Sequence, residues 1–311
     1  MTRLRSAVSD AWPVLVFLGL LAMLVLLKGR FNGFDMRALS VNALPLVLIA
    51  LAQFLVILTR GIDLSLGPVA SLAGALMALH VTDSPALGFA LPLAAGLAAG
   101  LLNGGLVVGL RLPPIIVTLA TMSIWQGVAL LVLPNPGGSI PALYQSIFMG
   151  GFSAPAIGLV SLAVWTVLLS WLMASRFGLD LRAIGSDEAA ARMSGIRVAR
   201  AKLGAYAAAG LLAAFSGMYL GVAMASGSPV VGDGYILTSI VAVVIGGIPL
   251  TGGRGAPIAV VMGALILTIM ASLLYFAQVS SFYQSLINGL ILLAVVGTPG
   301  ARGFAAGLLR P

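Results

Sequence analysis

The chain has 311 residues, 60% of them hydrophobic, with a mean hydropathy of +1.15, eight acidic residues and a net charge of +8. So little charge cannot cover a water-soluble surface, and apolar runs of about 18 or more residues repeated from end to end mark an all-α polytopic membrane protein. The absence of Cys excludes disulfides and thiolate metal sites, a single His80 builds no metal cluster and reads as the polar end of a span, and the Arg residues lie in short loops beside spans, which explains the basic charge by topology rather than nucleic acid.

In chain order, the apolar runs predict ten transmembrane helices at 12–27, 41–59, 62–80, 87–110, 114–134, 157–174, 203–224, 236–250, 256–276 and 283–298. The first follows Arg3 and Arg5 and runs into Lys28-Gly29-Arg30 with no small-x-small cleavage pattern, so it reads as an uncleaved span rather than a signal peptide. The run at 236–250 is short, and the junctions at Gly61 and Gly246-Gly247 leave almost no loop. Broken or re-entrant helices there would lower the count to eight or nine.

With the N-terminus in the cytoplasm, thirteen basic residues fall on the inner side and only Lys28, Arg30 and Arg37 on the outer, a strong positive-inside bias that also places the C-terminus inside. The whole of 1–311 then forms one transmembrane domain. Its longest cytoplasmic connection is 175–202, which contains AIGSDEAAARMSGI (183–196). The outer counterpart at 135–156 has no charge and reads as a Pro/Gly-rich cap, and 225–235 is expected as an outer loop turned by Gly232-Asp233-Gly234.

Gly61-Ile62-Asp63-Leu64-Ser65 is echoed by Gly247-Ile248-Pro249-Leu250-Thr251, and Asn103 and Asn288 follow those glycines by 42 and 41 residues. Two landmarks at nearly equal spacing suggest two parallel repeats, 41–134 and 203–298, around the central loop. Gly96, Gly100 and Gly104 form a small-residue ridge for close helix packing, with Gly105 and Gly109 one step around and Gly217 and Gly221 repeating the spacing.

Asp187-Glu188 precede Arg192, Arg197 and Arg200, which matches the dipole of a short helix. Ser186 or Asp187 is the candidate N-cap and Gly195 the candidate stop. Such a helix either lies unpartnered at the membrane surface or seats in a groove of another protein. Asp63 reads first as a cap for a helix beginning at Leu64, paired with Arg60, second as a gating contact and last as a substrate contact. Gln53, Asn103, Thr121, Trp125, Gln126 and Asn288 are neutral polar or aromatic groups within spans. They suit the path of a polyhydroxyl solute, and interhelical hydrogen bonding is the equally open alternative for each amide.

Three stretches, TRGIDLSLG at 59–67, AIGSDEAAARMSGI and VVIGGIPLTGGRG at 243–255, give the chain a resemblance to the ribose-type permease subunits of bacterial ABC importers for monosaccharides, over about residues 40–298. The Glu188-to-Gly195 interval is one residue longer than in the maltose-type pattern, and no Leu-Pro pair follows. The resemblance implies a subunit of the bacterial inner membrane that receives sugar from an extracytoplasmic binding protein. It implies a second permease copy or related permease, and an ABC ATP-binding subunit that holds ATP and Mg while this chain binds no cofactor. It further implies that Asp187, Glu188, Ala189, Ala190, Arg192, Ser194 and Gly195 form the helix that couples to that ATPase.

Neither Lys28 nor Lys202 sits in a Gly-rich phosphate cradle followed by Ser or Thr, so the chain carries no P-loop. No HExxH and no nucleophile–base pair around His80 supports an enzyme, and no catalytic residue is assigned. A proton- or sodium-coupled secondary transporter of a small polar solute is the remaining alternative.

Overall fold

The computed structural model describes residues 2–150 and 157–280, together with residues 283, 286, 287, 289, 290 and 293, and describes side chains from Pro13 onward. Among them only helices and turns occur, apart from an isolated bridge between Gly137 and Gly227. Six helices are long and apolar enough to cross a membrane: α2 (Gly33–Leu58), α4 (Pro85–Gly109), α5 (Pro114–Val132), α7 (Ile157–Ala174), α10 (Val198–Met224) and α12 (Pro257–Phe276). Between them come α1 (Thr2–Lys28), α3 (Leu66–His80), α6 (Ala142–Met149), α8 (Arg176–Ser186), α9 (Glu188–Met193) and α11 (Tyr235–Ile245). The tenth expected span, 283–298, lies largely outside the described residues, as does Asn288.

The helix starts follow from local chemistry. Asn32 caps α2 by accepting from the Phe34 and Asp35 N–H groups at 2.9 and 3.3 Å, and Asp35 returns the bond to the Asn32 N–H at 2.9 Å while pairing with Lys28. Proline opens α4, α5 and α12, where its missing N–H costs nothing. His80 ends α3 with its ring Nδ1 2.8 Å from the Leu76 carbonyl oxygen.

Helix α2 is the axis of the bundle: 89% of its most apolar stretch is buried, against 22% for α5 and α7. Helices α10, α12, α11 and α7 surround it, and the outer faces of α5 and α7 leave Leu131, Trp171 and Val167 exposed. Such faces meet lipid or another subunit. Contact between α4 and α10 runs through the expected glycine ridge, where a Cβ on Gly100 would lie 2.2 Å from the Tyr206 carbonyl oxygen and one on Gly96 2.4 Å from that of Gly210. Gly105 and Gly109 face open space, so the neighbouring stripe takes no part in this packing.

Helices α3 and α11 have 15 and 11 residues, too few to cross about 30 Å of hydrocarbon at 1.5 Å per residue. The segment joining α10 to α11 corrects the expectation of an outer loop at 225–235. Beginning at the Gly137–Gly227 bridge, it descends along α3 until the Gly232 N–H donates to Ser71 Oγ at 2.8 Å. A Cβ on Gly67 would lie 2.5 Å from the Gly232 carbonyl oxygen, so backbone packs on backbone where glycines leave room. A 3₁₀ turn at Val231–Gly234 then leads into α11. A second correction concerns the connection at 175–202. It is mostly helical, formed by α8 and α9, and α10 begins at Val198 rather than 203.

Candidate functional site

The alternating helices collect Arg60, Arg176, Arg182, Arg192, Arg197, Arg200, Lys202 and Arg254 at one end of the bundle, the basic end, and leave Lys28, Arg30 and Arg37 at the other. At the basic end the chain leaves α2 through Arg60, whose φ of 64° lies in the left-handed region. Its guanidinium donates from Nε to the Gly185 carbonyl at 2.6 Å and from Nη2 to that of Ser186 at 2.5 Å. These are terminal carbonyls of α8, which lack intrahelical partners and carry the negative end of the helix dipole. The expected pairing of Arg60 with Asp63 is therefore not formed: Arg60 is drawn to the α8 carbonyls, and Asp63 turns inward.

A third segment completes this junction. The Gly253 N–H donates to the Leu58 carbonyl at 3.1 Å, and a Cβ on Gly185 would fall 1.8 Å from that same oxygen and 2.3 Å from the Gly253 nitrogen. Residues 59–67, 183–196 and 243–255, the three stretches that carry the family resemblance, thus converge in space.

Just beyond Arg60, side chains from several helices secure the irregular backbone between α2 and α3. Asp63 Oδ1 accepts from the Ser65 N–H at 2.9 Å and the Ser65 hydroxyl at 2.7 Å, while Asn103 Nδ2 of α4 donates to Asp63 Oδ2 at 3.2 Å and Ser65 Oγ at 2.8 Å. The Gln53 amide of α2, oriented to satisfy both contacts, donates to the Asp63 carbonyl at 2.8 Å and accepts from its N–H at 3.2 Å. Thr118 of α5 donates to the Ile62 carbonyl at 2.9 Å. Non-helical backbone among apolar helices survives only when its polar groups are satisfied in this way. Among the described residues, Tyr206 Oη and Asn103 Oδ1 find no hydrogen-bond partner although both are buried.

The short helix α9 forms as its sequence suggests. Asp187 Oδ1 accepts from the Ala190 N–H at 3.0 Å, and Gly195, at φ 82°, ends the helix. Glu188 bonds Lys202 at 2.6 Å and Arg192 at 3.1 Å. The Lys202 bond leads in holding its carboxyl below the ordinary value, against partial burial. Ala191 points inward, whereas Ala189, Ala190, Arg192, Met193, Ser194 and Gly195 are exposed, with Met193 84% so.

Away from the basic end, α2, α11, α12 and the ends of α1 and α10 line a half-open cavity of about 860 Å³ whose wall includes Asn42, Asp233, Tyr235 and Thr268. None of these was expected on a pathway: Asn42 stands at the start of a span, Asp233 and Tyr235 in the expected outer loop, and Thr268 is a lone hydroxyl within a span. Beside the descending segment, Gln126 Nε2 donates to the Pro229 carbonyl at 3.0 Å, and Gln126 Oε1 and Trp125 Nε1 are buried with no partner among the described residues. Thr121 is buried too, with its hydroxyl 3.4 Å from the Thr118 carbonyl.

A bundle wound on one buried helix, with shortened helices inside and a charged helical pair at one end, marks a multi-pass membrane protein. The family described as branched-chain amino acid transport system / permease component matches residues 35–296, and the chain belongs to it. It is similar to the ribose import permease protein RbsC of Bacillus subtilis (strain 168), at 36% identity over 293 residues and 90% of each chain. Similarity to the protein of the same name in Escherichia coli (strain K12) is 33% over 314 residues, covering 94% of this chain and 95% of that one. The autoinducer 2 import system permease protein LsrC of Escherichia coli O157:H7 is 34% identical over 297 residues, covering 88% and 83%. No solved structure matches the chain. The protein is a transport permease of the inner membrane and not an enzyme.

Proposed function

We propose that this chain is the transmembrane subunit of an ATP-driven importer that moves a monosaccharide handed over by an extracytoplasmic binding protein, with ATP and Mg held by an ABC ATP-binding partner and a second permease completing the assembly. The observation that carries this reading is the convergence of the three motif stretches at the basic end. The exposed face of α9 supplies a docking surface, and Arg60 fastens α8 to the junctions before α3 and α12. A push on α9 therefore reaches backbone on the path of both shortened helices. The names of the two ribose import permeases point to a sugar as cargo.

In this reading Asp187, Glu188, Ala189, Ala190, Arg192, Ser194 and Gly195 couple to the ATPase, and the basic end is cytoplasmic, in keeping with the positive-inside rule. Trp125 and Gln126 line the path, supported by their unpartnered polar atoms, which a passing hydroxyl would satisfy. Gln53, Asn103 and Thr121 hold its wall. The repeat of 41–134 and 203–298 accounts for α2 and α11 both running toward the basic end and α3 and α12 away from it.

The test is reconstitution of the chain with its ATPase and binding protein in proteoliposomes. Sugar-loaded binding protein should stimulate ATP hydrolysis and drive uptake, and Gly195→Trp should abolish both while membrane insertion is unchanged. Buried Asp63 favours an ion-coupled carrier as the second reading; uptake that follows an ion gradient and ignores ATP would establish it in place of the first.

A further inference from the structure

The cavity away from the basic end holds polar groups that no other described residue uses. Among the described residues, the side chains of Asn42 and Asp233 enter no hydrogen bond or ion pair, and both residues are exposed on its wall. Thr268 spends its proton on the Ala264 carbonyl at 2.9 Å, which leaves its oxygen to accept. Tyr235 adds an aromatic surface beside Asp233. Lys28 and Asp35 neutralise each other, so among the described residues Asp233 is the uncompensated charge of the lining.

That inventory selects a ligand class. A carboxylate and a hydroxyl oxygen accept hydrogen bonds, an amide both donates and accepts, and an aromatic ring covers C–H surface. Anionic solutes meet repulsion from Asp233. A tightly held metal ion would need several converging oxygens, and no group of three or more acidic or His side chains occurs among the described residues. The volume of about 860 Å³ falls within the range of small-molecule sites.

We propose that this cavity binds a neutral polyhydroxyl solute, with Asp233 accepting from adjacent hydroxyls, Asn42 donating and accepting beside it, and Tyr235 covering a C–H face. The site rests on the importer reading and adds a place where cargo pauses inside the permease. Its position also links cargo to the moving parts. Asp233 follows Gly232, whose N–H is fixed to Ser71 of α3, so a solute drawn to Asp233 pulls on the segment packed against the start of that helix.

The experiment measures D-ribose binding to the purified, nanodisc-embedded permease by saturation-transfer NMR and, separately, uptake by the reconstituted complex. Asp233→Asn and Asn42→Ala should each weaken D-ribose binding and raise the KM for uptake about tenfold, one lost hydrogen bond to a charged partner being worth about that factor. Leu237→Trp, which fills the space from an exposed wall position, should abolish binding and serves if Asp233→Asn fails to insert. Unchanged binding and uptake in variants that insert normally would overturn the site. Ion-driven, ATP-independent uptake by the wild type, with D-ribose binding still weakened in Asp233→Asn, would overturn the importer reading and uphold the site.

Discussion

Arg60 reaches across 125 residues of sequence to place its Nε 2.6 Å from the Gly185 carbonyl oxygen. One residue at the exit of α2 thereby fastens the charged helical pair to the core, and the Leu58 carbonyl ties Gly253 to the same spot. Because these are bonds to backbone oxygens, they depend on the position of α8 and not on its side chains.

Arg60→Ala is expected to remove both bonds to α8, each worth about 1.5–3 kcal/mol for a charged donor. Uptake by the reconstituted complex should fall at least about tenfold, while ATP hydrolysis continues with fewer sugars moved per ATP. Arg60→Lys, which lacks the planar fork, should recover only part of the coupling. Unchanged stoichiometry in a well-inserted Arg60→Ala protein would show that the staple transmits no force.

The glycine ridge separates two neighbouring positions of the same helix. Gly100→Ala places a methyl 2.2 Å from the Tyr206 carbonyl oxygen and should cost about 1–3 kcal/mol, seen as a lower thermal midpoint in detergent. Gly105→Ala meets nothing within 4 Å and should be neutral or stabilise by up to about 1 kcal/mol. Equal effects would refute the assignment of the packing face.

Asn103→Leu should leave the Asp63 carboxylate without its α4 donor and cost about 1–3 kcal/mol. Hydrogen exchange is the discriminating measurement, since the first turn of α3 should lose protection while the middle of α2 keeps it. Protection that falls evenly throughout would mean that the bond serves the fold as a whole.

Glu188 is an acid whose folded-state pKa is lowered from 4.5 by Lys202 first and Arg192 after it. The stability it contributes is fully present above 4.5 and is lost as pH falls below that value through the lowered one. Hydrogen-exchange protection of α9 should therefore be flat between about pH 6 and 8 and decline in acid, and Glu188→Gln should remove the acid limb. The effect is small, because Glu188 is 41% exposed and solvent screens it.

The sequence by itself determined the membrane class, the position of the six long spans though not the starts of α2 and α10, the small-residue seam at Gly96 and Gly100, and the capped α9. These are sums over neighbouring residues: hydropathy adds along a run, and a cap depends on the next three N–H groups. Tertiary structure alone decided that Arg60 turns to α8 rather than to Asp63, that 225–235 dives beside α3, and that Asn42 and Asp233 share a cavity. Each outcome depends on which orphan carbonyl or glycine surface another part of the chain brings within reach. A local pattern such as Gly-Asp-Gly is compatible with an outer turn and with a buried backbone crossing; the choice falls to Gly67 and Ser71, more than 150 residues earlier.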